Sequence, residues 1–201
     1  VSPNFSRVCV SSSRSVYAKR DAWRGMGKWY HQRLAEIYRY LVNPDQRILE
    51  IGCGMGSLLA HLKPSHGVGV DFSPEMIARA KVQHPEFEYH QMDAHDLSRL
   101  EGEFDAIILS DTVNDLWDVQ RAFEQARKFC GPHTRLIINF YSHVWQFPLT
   151  LAQSLNLAAP MLPQNWLTRN DIDNMLRLAG FDGIRFSQEI LWPLPLGGFA
   201  N

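Results

Sequence analysis

Short apolar runs alternate with stretches of helical periodicity along most of this chain. Runs opening at Ile48 and Gly67, then Phe87 to Met92, Phe104 to Leu109 and Thr134 to Phe140, are short, and most of them are largely apolar. That is how strands buried on both faces of a parallel sheet read. Between them lie segments of helical character. Leu34, Ile37, Tyr38 and Leu41 put an apolar stripe on a helix over 28–41. A second helix opens at Ser57. Ser73-Pro74-Glu75 supplies an N-cap, a first-turn proline and a first-turn acid for a third. A helix over 118–129 should stop near Gly131-Pro132. Another over 168–179 has Thr168 as N-cap, Asp171 three positions on and Gly180 as C-cap. Residues 184–190 read as a sixth strand. The alternation predicts an α/β fold, a Rossmann-like doubly wound and mostly parallel sheet.

The ends of the runs carry the chemistry. Ile48-Leu-Glu-Ile-Gly-Cys-Gly-Met-Gly56 turns from a strand into three alternate glycines. Such a turn lets a ligand lie against the main chain. Asp71 follows Gly52 by about 20 positions, the spacing at which a carboxylate meets ribose hydroxyls in nucleotide-binding α/β folds. Asp93 closes the third run, and Ser110-Asp111 the fourth. Successive strands therefore deliver carboxylates to the edge where open α/β sheets bind ligands. Lys and Arg are absent between Ile48 and Ala60, which disfavours a pyrophosphate. A cationic, phosphate-free nucleotide suits this edge, and S-adenosylmethionine is one.

On these motifs the chain resembles a class I S-adenosylmethionine-dependent methyltransferase of the small-molecule type. Ile48 to Gly56 looks like the family's first motif. Gly69-Val-Asp-Phe-Ser-Pro-Glu-Met76 resembles its ribose-binding segment, and Met92-Asp93-Ala94-His95-Asp96-Leu97 its adenine-contacting segment, with His95 where an acid is common. Phe104 to Ser110 resembles the fourth strand, and the likeness runs from about Arg47 to Phe140. The resemblance implies that the backbone of Gly52, Cys53 and Gly54 faces the methionine part, with Glu50 orienting the turn. It gives Asp71 the ribose, sets Phe72 against adenine, has Asp93 accept from the adenine amino group with Ala94 alongside, and puts Ser110 near the sulfonium. The family's preceding helix would bring Trp29, Tyr30 or His31 over the ligand. Its usual seventh, antiparallel strand is missing or irregular here, because 191–198 carries two prolines.

The expected reaction is in-line transfer of a methyl group to a small, partly apolar acceptor, leaving S-adenosylhomocysteine (SAH). Asp111, Asp115 and His143 are the candidate bases, with His31 and Tyr141 more remote. The bland alternatives stay open for several of these residues. Asp115 or Asp118 can cap the next helix, Asp93 with Asp96 the next turn, and Asp71 the helix after it. Phe72 and Cys53 can be core. Two other functions share the fold. A nicotinamide-dependent oxidoreductase would want glycine where Ser57 stands. A non-catalytic nucleoside-binding module would keep the crevice without turnover.

Bulk properties narrow the class. At 201 residues, 45% of them hydrophobic, the chain is sized for one domain. A net charge of −1 gives no reason to expect nucleic acid. Cys9, Cys53 and Cys130 are scattered and odd in number, fitting neither a disulfide framework nor a metal site, and suggest a reducing, cytoplasmic setting. No run suggests a membrane span or a secretory leader. The chain opens on Val1, as a trimmed or partial sequence would. Residues 1–26 are expected to be loosely ordered and 27–201 to form the domain. An insertion at about 141–166, rich in Trp, Phe and Leu, either covers an apolar acceptor or buries a small core of its own.

Overall fold

The computed structural model of the chain describes residues 24–141 and 165–188, with side chains from residue 30 onward in the first helix. Element order is α1 (Arg24–Leu41), β1 (Arg47–Ile51), α2 (Ser57–Leu62), β2 (His66–Asp71), α3 (Pro74–Gln83), β3 (Glu88–Gln91), β4 (Phe104–Leu109), a 3₁₀ turn (Val113–Asp115), α4 (Val119–Arg127), β5 (Cys130–Ile138) and α5 (Arg169–Leu178). The five strands form one sheet in the order β3-β2-β1-β4-β5, and every pair is parallel. The order reverses between β1 and β4, which makes the carboxyl ends of these two strands the topological switch point.

Two apolar layers flank the sheet, because both faces of its strands are buried. One side packs Leu49, Ile51, Ile107 and Leu109 against Ala122 and Phe123 of α4 and Ile172 of α5. The other packs Ile48, Ala106 and Ile108 against Leu34 and Tyr38 of α1 and Ile77 of α3. Helix starts follow their caps. Ser73 accepts from the Met76 N–H, Asp118 from the Arg121 N–H, and Thr168 forms a reciprocal capping box with Asp171. Asp118 is therefore a cap.

Three expectations need correction. The fifth strand starts at Cys130, so Gly131 and Pro132 lie inside it rather than ending the preceding helix. Pro132 is tolerated because β5 borders the sheet among the described residues, and its pairing with β4 shifts register between Phe104 and Ala106. The third strand is trimmed to Glu88–Gln91. Residues 184–188 form no strand. Ile184 stays exposed, and the Phe186 ring lies 4.1 Å from the Arg169 guanidinium at the start of α5 instead of pairing with the sheet. Residues 1–23, most of the insertion and 189–201 lie outside the described residues, as do His143 and the side chains of Lys28 and Trp29.

Candidate active site

The turn after β1 is held from the neighbouring strand. Gly52 N–H and Cys53 N–H both donate to the Val70 carbonyl, at 2.7 and 3.0 Å. Gly52 and Gly54 sit at φ 81° and 52°, angles that strain a side-chain-bearing residue. Their surroundings differ. A Cβ on Gly52 would fall 2.2 Å from Thr112 Oγ1, so this glycine lets the turn close against the residue after β4. A Cβ on Gly54 would meet nothing within 4 Å. Gly54 is the face that the turn leaves open.

Three acids sit around this turn, each in a different state. Glu50 is almost fully buried. Burial pushes its carboxyl up to about 8, the Leu59 backbone N–H pulls it back, and the charge of Asp71 adds to the rise. Its Oε2 has no hydrogen-bond partner among the described residues. Asp71 is also buried and accepts from Gly54 N–H at 2.9 Å and Ser73 N–H at 2.8 Å. Burial raises its pKa, and those two N–H groups oppose the rise. Each carboxylate oxygen retains a second lone pair. Asp93 is half-exposed, and its Oδ1 accepts both the His95 backbone N–H and the His95 ring Nδ1. Partial burial opposes ionisation, but the His95 hydrogen bonds prevail and hold Asp93 below the usual carboxylate range.

Neighbouring positions complete the edge. Phe72, half-buried, leaves β2 directly after Asp71, and Ala94 follows Asp93 while packing on the core. Cys53 is a buried filler, as its sequence neighbours allow. Its Sγ occupies the space that a Cβ on Gly69 would need, and burial pushes the thiol far up.

At the end of β4 the chain makes a second special turn. Asp111 adopts φ 53°. Its Oδ1 accepts from the Tyr30 hydroxyl at 2.7 Å and from Asn139 Nδ2 at 2.5 Å. Asn139 Oδ1 in turn accepts the Asp111 N–H and the Tyr38 hydroxyl, at 3.2 and 2.7 Å. Burial, then the nearby Asp111 charge, drives the Tyr30 phenol far above its ordinary pKa, so it remains a donor. The network ties α1, β4 and β5 together beside Ser110. Tyr30 also stacks on Tyr141, with ring centroids 6.1 Å apart, and meets His31 edge-on.

The 3₁₀ turn ends at the partly exposed Asp115. Asn114, fully buried beside it, accepts the Tyr141 N–H at 2.8 Å. Its amide donates to the carbonyls of Asn165 and Tyr141, at 2.8 and 3.2 Å. The structure thus brings Glu50, Gly52, Cys53, Gly54, Asp71 and Ser110 to one edge, with Phe72, Asp93 and Ala94 on the β2–β3 side. Asp111 is tethered by α1 and β5, and Asp115 stands further along. Thr112, Asn114 and Asn139 were not singled out by the sequence, although Asn139 interrupts the end of an apolar run.

Comparison with known proteins agrees with this geometry. A family model described as a methyltransferase domain matches residues 26–185. An uncharacterized methyltransferase of Synechocystis sp. is 36% identical over 81 residues, covering 39% of this chain and 38% of that protein. A 2-phytyl-1,4-naphtoquinone methyltransferase of Trichormus variabilis is 25% identical over 146 residues, covering 67% of this chain and 64% of that enzyme. The chain thus spans less than two thirds of the length of these curated relatives. The crystal structure of magnesium protoporphyrin IX methyltransferase from Synechocystis, with bound SAH, superposes with a TM-score of 0.68 at 20% identity, over 92% of this chain and 95% of that one. That likeness is one of fold.

Proposed function

Since the chain belongs to the methyltransferase-domain family, whose class I members use S-adenosylmethionine, we propose that it transfers a methyl group from S-adenosylmethionine to a small-molecule acceptor by in-line displacement. One observation carries the assignment. Gly54 presents bare main chain to open space while its N–H is fixed by Asp71, and Glu50 in β1 just before the turn keeps a buried oxygen without a hydrogen-bond partner among the described residues. An unpartnered buried acceptor is costly, and a cationic ligand that donates hydrogen bonds would satisfy it.

When bound, the sulfonium donor supplies an already activated methyl group. The chain's own residues then bind and orient. Gly52, Cys53 and Gly54 offer main chain to the methionine portion, with Glu50 as the acidic partner. Asp71 takes the ribose hydroxyls with its remaining lone pairs, and Phe72, Asp93 and Ala94 form the adenine side. Ser110 borders the reacting end. Asp111, committed to Tyr30 and Asn139, positions α1 over the site rather than moving a proton. Asp115 is the proposed base for an acceptor that needs one. His143 keeps the same proposed role and lies outside the described residues. Alignment of donor and acceptor supplies most of the rate gain in such a reaction. The acceptor is small and carries no nucleic acid, supported by the near-neutral net charge of −1. Two free thiols, Cys53 and Cys130, favour a cytoplasmic setting. Among the described residues no helix is long and apolar enough to cross a membrane.

Calorimetric titration with S-adenosylmethionine, SAH and NAD tests the assignment. Affinity on the order of micromolar for the two sulfur nucleosides, with none for NAD, is expected. Heat from NAD alone, or from none of the three, would overturn it. Once an acceptor is found, Asp115→Asn should leave donor binding intact and slow turnover by about a hundredfold or more. An unchanged rate would remove Asp115 as base.

A further inference from the structure

His95 stands one residue beyond the adenine side and is almost fully buried, yet both its ring nitrogens are used. Nε2 accepts the Asp118 backbone N–H at 3.3 Å, so that nitrogen carries no proton. Nδ1 must then be the protonated one, and it donates to Asp93 Oδ1. The tautomer is fixed by the start of α4, not by solvent. The Trp117 ring covers the imidazole at 4.3 Å, and Arg121 Nε holds the His95 carbonyl at 2.9 Å. Three contacts thus hold the imidazole, and a fourth holds its backbone, so that Nδ1 is directed at a single carboxylate oxygen. Asp93 Oδ1 takes the His95 ring and backbone N–H groups, while the carboxylate stays half-exposed and no hydrogen bond among the described residues engages Oδ2.

We propose that His95 is the positioning residue for purine discrimination: by holding Asp93 Oδ1 it aims Oδ2 at the exocyclic amino group of adenine, and so selects a 6-amino over a 6-oxo purine in the donor. The inference rests on the proposed use of S-adenosylmethionine and adds how its base is read. A carboxylate oxygen accepts from an amino group but meets a carbonyl lone pair to lone pair. An aimed, single-orientation carboxylate enforces that difference. A freely rotating one can turn away from the carbonyl at little cost.

The test separates the two ring nitrogens. In His95→Asn the side-chain amide nitrogen replaces Nδ1 and can still donate to Asp93, but the Asp118 N–H loses its acceptor. In His95→Gln the side-chain oxygen replaces Nε2 and keeps the Asp118 contact, while the ring donor to Asp93 is lost and only the backbone N–H still holds Oδ1. Binding of SAH and of S-inosylhomocysteine is measured by calorimetry for each, with a thermal melt for each variant. The wild-type chain should prefer SAH by about tenfold or more, the scale of one charge-assisted hydrogen bond. His95→Asn should retain that preference, and His95→Gln should reduce it to within about threefold while still binding SAH. Asp93→Asn, with His95 intact, should shift preference toward S-inosylhomocysteine, because the amide nitrogen now points outward. Discrimination that survives in His95→Gln, or that falls equally in both His95 variants, would overturn the proposal. So would a wild-type chain that binds both nucleosides alike, which removes Asp93 as the base reader. No binding of SAH by the wild-type chain would instead sink the donor assignment beneath it.

Discussion

The Asp71 carboxylate accepts the Gly54 backbone N–H at 2.9 Å, so the end of β2 shapes the turn that follows β1. The same carboxylate caps the approach to α3 through the Ser73 N–H. Its proposed ribose contact is therefore built on top of a structural one. Asp71→Ala should abolish measurable donor binding and also lower stability by about 1–3 kcal/mol, because a buried donor (Ser73 N–H) and a partly buried one (Gly54 N–H) lose their partner. Asp71→Asn keeps one acceptor oxygen and should cost less of each. Chemical denaturation and calorimetry on both variants check this. Normal SAH affinity in Asp71→Ala would show that the ribose is bound elsewhere.

Gly52 and Gly54 should respond differently to one methyl group. Gly52→Ala drives Cβ into Thr112 at 2.2 Å and should destabilise the fold by several degrees in melting temperature. Gly54→Ala meets no protein atom within 4 Å, so only the strain of φ 52° remains, about 1 kcal/mol. Its effect should fall on ligand affinity, by about tenfold or more, since Cβ enters space the ligand needs. A Gly54→Ala protein that melts and binds like wild type would mean that this face is not the ligand's.

Glu50 carries a pH signature. Its carboxyl holds a proton more tightly in the fold, at about 8, than at its ordinary value of 4.5, because burial disfavours the charge. Folding therefore takes up a proton between these values. Its stabilising contribution is full below about 4.5 and is lost as pH rises through about 8. Glu50→Gln should flatten that slope and make the ligand-free protein relatively more stable at alkaline pH, while weakening binding of the cationic donor. Urea unfolding of both proteins across the range is the measurement. A slope that persists in Glu50→Gln would assign the titration to another group.

Asn114 closes three hydrogen bonds with Tyr141 and Asn165 from a fully buried position. Asn114→Ala leaves a buried N–H and carbonyls unmatched and should cost about 2–4 kcal/mol. Asn114→Asp keeps the acceptor for the Tyr141 N–H but loses both donated bonds, so it should also be destabilised. A melting curve within a degree or so of wild type for Asn114→Ala would show that water replaces the side chain at little cost.

The parallel strands, the glycine turn and the acids at the strand ends were legible because each rests on local rules. Buried parallel strands read as apolar runs, and Ser73, Asp118 and Thr168 announce helix starts. The polar clasp of Tyr30, Asp111, Asn139 and Tyr38 was not legible. Its bonded partners are up to 101 positions apart, and nothing in the sequence near Asn139 says which tyrosine it will meet. The role proposed for Asp111 shifted for that reason: a carboxylate after a strand reads as a base until its partners are known. The misread strand at 184–190 failed differently. Alternating Ile184 and Phe186 satisfy the pattern, but Phe186 found a cation to cover instead of a neighbouring strand.

Tyr141 and Asn165 meet at one buried amide, so the chain between them departs from and returns to a single point on the scaffold. The cost of closing a loop grows only slowly with its length. A relative could therefore exchange that stretch, lengthen it or shorten it while the sheet and its strand-end turns stay as they are. Asn114 makes the chain between Tyr141 and Asn165 a replaceable part.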